Sequence, residues 1–220
     1  FAKLSALDVH LENKTDPSQL LNIQHTCYVQ MLQRGIDKAS KAGAVFNTEK
    51  LNWYNREYLK KMTAEEVMQR AGEWLSPLVQ STKYQVQSEN LTKFVALEKD
   101  RITTLAELPA AIAFCFDLPE YAKEMLVWRK GTPAEAQGVL IDITARLTTL
   151  ESAVWSKTTV EQTVMAYITE KALPNGAVLS PLRVALSGQQ NSPGPFDIAD
   201  ALGKDESLMR IQKALAKLSV

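Results

Sequence analysis

Two arginines and one proline-bearing bend are the residues whose types and spacing best fit them for chemistry. Arg183 stands in Leu182-Arg183-Val184-Ala185-Leu186, where every neighbour is apolar. A cation buried without a partner is costly, so its head must reach water, a carboxylate or a ligand. Further on comes Ser192-Pro193-Gly194-Pro195-Phe196. The two prolines fix two φ angles, and Pro195 suits the first turn of a helix that starts with Phe196. A backbone that is already rigid loses little more entropy when a ligand arrives. An arginine, an amide-rich turn and an aromatic ring together can grip unstacked bases. The same residues also make a purely structural turn, and the pattern alone leaves both readings open.

Arg101 closes the run Glu98-Lys99-Asp100-Arg101. In one reading it is an intrahelical ion pair with Glu98, stabilising by a few tenths of a kcal/mol at a surface. In the other, its planar guanidinium is held out to fork onto a base edge or a phosphate. Pattern alone favours the ion pair.

Little else in the chain points to catalysis. His10 and His25 sit with no Ser or Cys arrangement that implies a triad, and read as structural or surface histidines. No glycine-rich phosphate loop or dinucleotide turn occurs. Lys60-Lys61-Met62-Thr63-Ala64-Glu65-Glu66 superficially resembles an ATP-handling loop, but its second lysine is missing and the residues start a capped helix. The expectation is no catalytic residue, no metal ligand and no bound cofactor in this stretch.

Composition narrows the class. The 220 residues balance 25 Lys+Arg against 25 Asp+Glu, so the net charge is zero. A nucleic-acid binder often shows a basic excess; here any phosphate contact would have to be local. Cys27 and Cys115 lie far apart in no metal-ligand spacing, which fits reduced thiols in a cytosolic protein. No apolar run approaches the roughly 18 residues of a membrane span. The chain opens on Phe1 without a methionine or a signal-peptide layout, which points to a piece of a longer protein whose catalytic part lies elsewhere.

The elements that must position these residues read as helices. Apolar periodicity of 3.6 dominates and alternating strand patterns are scarce. A first stripe runs Leu20, Ile23, Cys27 and Met31 and ends at Gly35. Asn47 reads as the N-cap of a helix carrying Leu51, Tyr54, Tyr58 and Leu59, with Trp53 near that face. Thr63 and Glu66 form a Thr-x-x-Glu capping box for a helix with Val67, Ala71, Trp74 and Leu75 as its stripe. Pro77 sits where that helix should end or kink. Leu91, Phe94, Val95 and Ile102 space another helix, and Pro109 precedes a short apolar core segment. The second half reads as helices 134–150, 160–172, 179–186, 195–202 and 206–218. With a boundary near Gly131 to Pro133, the expectation is an all-α protein of two tandem helical bundles: 1–36 unassigned, 37–131 and 132–220.

Three separated blocks in this order resemble the carboxy-terminal part of bacterial-type glutamyl-tRNA synthetases. The first is Ser40-Lys41-x-Gly43-Ala44-Val45 with Phe46-Asn47-x-Glu49-Lys50-Leu51-Asn52-Trp53-x-Asn55. The second is Asp100-Arg101-x-x-Thr104-Leu105-x-Glu107-Leu108. The third is Ala185-Leu186-Ser187-Gly188, Ser192-Pro193-Gly194-Pro195-Phe196, Leu202-Gly203-Lys204 and Arg210-Ile211. The resemblance runs from Asp37 to the end. It implies the two-part, all-α anticodon-binding region, the helical cage, of a class I synthetase. In that family the whole enzyme uses ATP and Mg²⁺ to activate L-glutamate and transfers it to the glutamate tRNA. The nucleotide-binding domain that does so is not in this sequence, so the chain is expected to bind and not to catalyse.

Carried over by position, Arg101 matches the arginine beside the third anticodon base. Arginine there goes with enzymes that charge only the glutamate tRNA, and glutamine with enzymes that also accept the glutamine tRNA. Arg183, Ser192, Pro193, Pro195 and Phe196 match the pocket for the first two bases, with Arg183 as donor and Phe196 as an apolar wall. Family members commonly carry leucine where Pro195 stands. Trp53 and Asn55 match a junction that supports the fold. The implied partner is the anticodon loop of the glutamate tRNA, with no membrane, and a monomer in the cytoplasm is expected. The competing reading is a helical protein-interaction or assembly domain without tRNA readout.

Overall fold

The computed structural model describes residues 47–80 and 88–219. The stripe from Leu20 to Gly35, His10, His25, Cys27 and the block before Phe46 lie outside the described residues. Among the described residues there is no strand, and the protein is all-α as its periodicity predicts. Residues Glu49–Val220 form one compact unit.

The helices begin with α1 (Thr48–Lys61), α2 (Ala64–Arg70), α3 (Gly72–Gln80), α4 (Ser88–Glu98) and α5 (Leu108–Phe116). They continue with α6 (Pro133–Thr148), α7 (Lys157–Lys171), α8 (Asn175–Ser187), α9 (Pro195–Leu202) and α10 (Lys204–Leu218). Caps fix the starts. The Thr63 hydroxyl accepts from Glu66 N–H at 3.2 Å, and the Glu66 carboxylate accepts from Thr63 N–H at 2.9 Å. Thr132 and Glu135 repeat the device at α6. Each box satisfies two amides that the first turn leaves unpaired.

Helices α2, α3, α4 and α5 pack together around Val67, Ala71, Val95, Leu108 and Ile112, all 3% exposed or less. Helices α6 to α10 pack around Leu140, Val160, Leu182, Leu186, Ile198 and Ile211. Two bridges join the groups. Helix α9 lies against α4, and the short turn Lys123–Leu126 after α5 packs on α6, α8 and α10.

Some elements differ from expectation. Pro77 lies inside α3, which continues to Gln80. Helix α4 stops at Glu98, short of Ile102: Arg101 N–H bonds back only three residues to the Glu98 carbonyl at 2.9 Å, tightening the last turn, and Ile102 N–H shares that carbonyl at 3.2 Å. The chain then leaves the helix axis and restarts at α5, where Pro109 occupies the first turn, a position that loses no hydrogen bond. Of the α1 stripe only Leu59 is buried; Leu51, Trp53, Tyr54 and Tyr58 are exposed. Helix α1 meets the core through its C-terminal end, Leu59 and Met62. Trp74 is likewise 41% exposed, while Val67, Ala71 and Leu75 beside it are buried.

Candidate nucleic-acid interface

Arg210 ties together the helices under the bend. It is the largest fully buried side chain among the described residues, and the sequence pattern gave its role no prominence. Its Nη1 donates to the carbonyls of Phe114 and Leu186, each at 2.8 Å, and its Nη2 donates to Cys115 O at 3.1 Å. Those carbonyls lie in the last turns of α5 and α8, where no intrahelical partner remains. The cation also offsets the negative ends of both helix dipoles. Glu206 accepts from its Nε at 2.6 Å. The one available signal was the Glu206–Arg210 spacing inside an apolar stripe. Cys115, buried beside this arginine, has its thiol pKa pushed up by burial.

From Leu186 the chain enters the bend. Gly188 ends α8 with φ 67°, the left-handed region that glycine favours. A Cβ there would also sit 2.9 Å from Pro119 O, so both torsion and space demand glycine. Ser187, fully buried, organises the residues after it. Its Oγ lies 2.8 Å from the Arg183 carbonyl and 3.0 Å from Ser192 Oγ, and it accepts from Gln189 N–H at 3.1 Å. Pro195 then occupies the first turn of α9, as its sequence position predicts. Trp155 Nε1 anchors α9 from outside by donating to Ala199 O at 2.9 Å.

The bend therefore has a buried inner side and an open outer side. Ser192, Pro193, Pro195 and Phe196 are buried; Gln190 and Asn191 are exposed. Phe196 is 9% exposed and belongs to the core, so its ring serves as foundation and not as the open wall drawn from sequence. The Ser192 hydroxyl accepts from Ser187 at 3.0 Å and donates to the Pro193 carbonyl at 3.3 Å. The rigidity read from two prolines is present, with the hydroxyl network added beneath it.

Arg101 reaches this bend from the other helix group. Its Nε donates to Glu98 Oε2 at 2.9 Å, and its Nη2 donates to the Asn191 carbonyl at 3.0 Å. The ion pair with Glu98 is thus present, though Arg101 lies in the turn after α4 and not inside the helix. A second, long-range contact that no local pattern shows joins it. The turn holding Arg101 is braced on both sides. Lys99 Nζ donates to Lys60 O at 3.3 Å at the end of α1, and Glu107 accepts from Thr103 N–H at 2.9 Å. Arg101 and Pro193 line one groove of about 300 Å³ between α4 and α9, with Lys93, Leu97, Asp197 and Asp200. The two acids there are countered by Lys157 at 2.7 Å from Asp197 and Lys93 at 3.7 Å from Asp200.

Arg183 stands apart from that pair. It is half-buried on α8, and its Nε is buried with no hydrogen-bond partner among the described residues. Only its carbonyl connects to the bend, through Ser187. A buried N–H left unmet costs free energy, and the fold carries that cost at this one guanidinium nitrogen.

A larger cavity, about 760 Å³, is lined by Trp128, Arg129, Ala136, Val139, Leu173 and others. None of the sequence-derived site residues reaches it, and its Thr132 and Glu135 are consumed by the α6 capping box. The groove beside Arg101 is smaller, but it is the one that Arg101 and Pro193 line. Among the described residues no cluster of metal-ligating side chains occurs, and no helix is long and apolar enough to cross a membrane.

Comparison with known proteins decides the family. Residues 48–215 match the model of the anticodon binding domain. The chain belongs to that family. It is 35% identical over 185 residues to a glutamate–tRNA ligase of Clostridium kluyveri, covering 82% of this chain and 36% of that protein. A glutamate–tRNA ligase of Lachnoclostridium phytofermentans is 38% identical over 184 residues with the same shares. Among solved structures, a glutamate–tRNA ligase from Elizabethkingia meningosepticum superposes with a TM-score of 0.68 at 27% identity, over 82% of this chain and 34% of its own. The chain thus spans about a third of the length of the relatives it matches. The all-α anticodon-binding fold is the one the resemblance implied.

Proposed function

We propose that this anticodon-binding domain holds the anticodon of the glutamate tRNA on behalf of a glutamate–tRNA ligase. Arg183 and the outer side of the bend take the first two bases, and Arg101 reads the third. The observation that carries this reading is Arg183, whose buried Nε has no partner among the described residues, in a fold that gives every guanidinium nitrogen of the still more buried Arg210 one. With Phe196 and Ser192 turned inward, hydrogen bonds from Arg183, Arg101 and the exposed backbone around Gln190 and Asn191 do the gripping. Phe196, Ser192, Pro193 and Pro195 hold that backbone still.

ATP, Mg²⁺ and L-glutamate belong to the catalytic part of the parent enzyme, which works in the cytoplasm as a monomer. Within this domain the division falls between 37–131 and 132–220. Family membership disfavours a protein-interaction domain without RNA contact.

The test is binding of two RNAs to the full-length protein that carries this chain. One is the anticodon stem-loop of the glutamate tRNA, and the other differs only in its anticodon. A preference of about tenfold or more for the first, equivalent to ~1.4 kcal/mol, supports the reading. Equal affinity for both sinks it and returns the assembly role.

A further inference from the structure

Glu98 sits in an unfavourable place. It is the last residue of α4, only 5% exposed, at the negative end of that helix dipole. Stability alone gives little reason to bury a carboxylate there, since buried ion pairs often do no better than apolar residues of the same shape. What Glu98 does is hold Arg101 in two ways. Its carbonyl accepts from the Arg101 backbone N–H at 2.9 Å, and its Oε2 accepts from Arg101 Nε at 2.9 Å. With Nε fixed, the plane of the guanidinium is fixed, and Nη2 falls 3.0 Å from the Asn191 carbonyl.

We infer that Glu98 is a positioning residue for anticodon selection: it sets the plane of the Arg101 guanidinium and, through that plane, the height of Asn191 in the bend. The inference rests on the reading of the site given above. It adds that the third-base reader and the bend for the first two bases are one mechanical unit, joined by Glu98, Arg101 and Asn191. Arg101, which lines the groove together with Pro193, keeps further N–H groups that neither contact uses. A long arginine freed of its clamp would sample many rotamers, and a forked contact with one base edge would lose its geometric selectivity.

The experiment uses the full-length protein, the glutamate stem-loop and a stem-loop changed only at the third anticodon base. The variants are Glu98→Gln, Arg101→Gln and the two combined, with thermal melting recorded for each. Glu98→Gln is expected to lower the third-base preference about fivefold, approaching Arg101→Gln, and the double variant to lose no more than Arg101→Gln alone. A preference retained in Glu98→Gln but lost in Arg101→Gln overturns the inference and leaves the site reading standing. A preference retained in Arg101→Gln removes the site reading and this inference with it. Should Glu98→Gln fail to fold, Glu98→Asp keeps the charge and shortens its reach; an unchanged preference in that variant is equally fatal.

Discussion

Arg210 and Arg183 pose the same problem to the fold, and the fold answers it differently. Both lie in apolar stretches of long helices. Arg210 is completely buried and spends its guanidinium on Glu206 and the carbonyls of Phe114, Cys115 and Leu186. Arg183 is half-buried and leaves Nε unmet. The first is a structural knot that fastens the ends of α5 and α8. The second keeps one buried N–H without a partner among the described residues. Arg101 lies between these cases, with one contact to its own helix end and one to the bend.

Substitution and titration both put that contrast at risk. The largest expected effect is at the knot. Arg210→Met leaves three buried carbonyls and Glu206 without a partner and should destabilise by about 3–5 kcal/mol. Chemical denaturation reads this directly, and a loss below ~1 kcal/mol would deny Arg210 its role. Phe196→Ala, which empties a core site under the bend, should cost about 3–5 kcal/mol as well, at the lower end if the site collapses. If Phe196 were instead an open wall for bases, it would lose RNA affinity with its melting temperature unchanged.

Gly176→Ala should cost roughly 1–3 kcal/mol, because the new methyl would lie 2.3 Å from the Trp128 ring. RNA selectivity should not change, since this region lies outside the groove.

The smallest effect concerns Glu98. Burial, the larger influence, raises its pKa, and the Arg101 charge and hydrogen bond oppose the shift. The folded state therefore takes up this proton more readily than the unfolded chain. Its contribution to stability is present below the ordinary carboxylate pKa and is lost as pH rises through the raised value. Replacing Glu98 by Gln should flatten that part of the melting-temperature profile. A profile that keeps its slope in the variant would assign the slope to another group.

How much of this was legible in sequence depends on how local each feature is. The Thr63 capping box and the start of α9 at Pro195 are set by residues within one turn, and they appear as expected. The bend's stiffness, carried by its own prolines, was legible too. The end of α4 was not, because Ile102 and Leu105 continue the apolar spacing while the backbone turns away at Glu98. Arg101's second contact joins residues 90 positions apart, and Arg210 reaches carbonyls 95 and 96 positions away. No window of sequence holds both ends of such bonds. The inward turn of Phe196 was hidden for a related reason. An aromatic residue after a proline looks the same whether α9 turns it outward or, as here, onto the core.

The central proposal is that Arg183, whose Nε has no partner among the described residues, takes the anticodon with its guanidinium. Arg183→Met keeps the apolar stem and removes the head, so it isolates that claim in the full-length protein. The account predicts a melting temperature equal to or above that of the parent and a loss of about tenfold or more in affinity for the glutamate stem-loop. Undiminished affinity, or a fold that falls apart without the guanidinium, would contradict it.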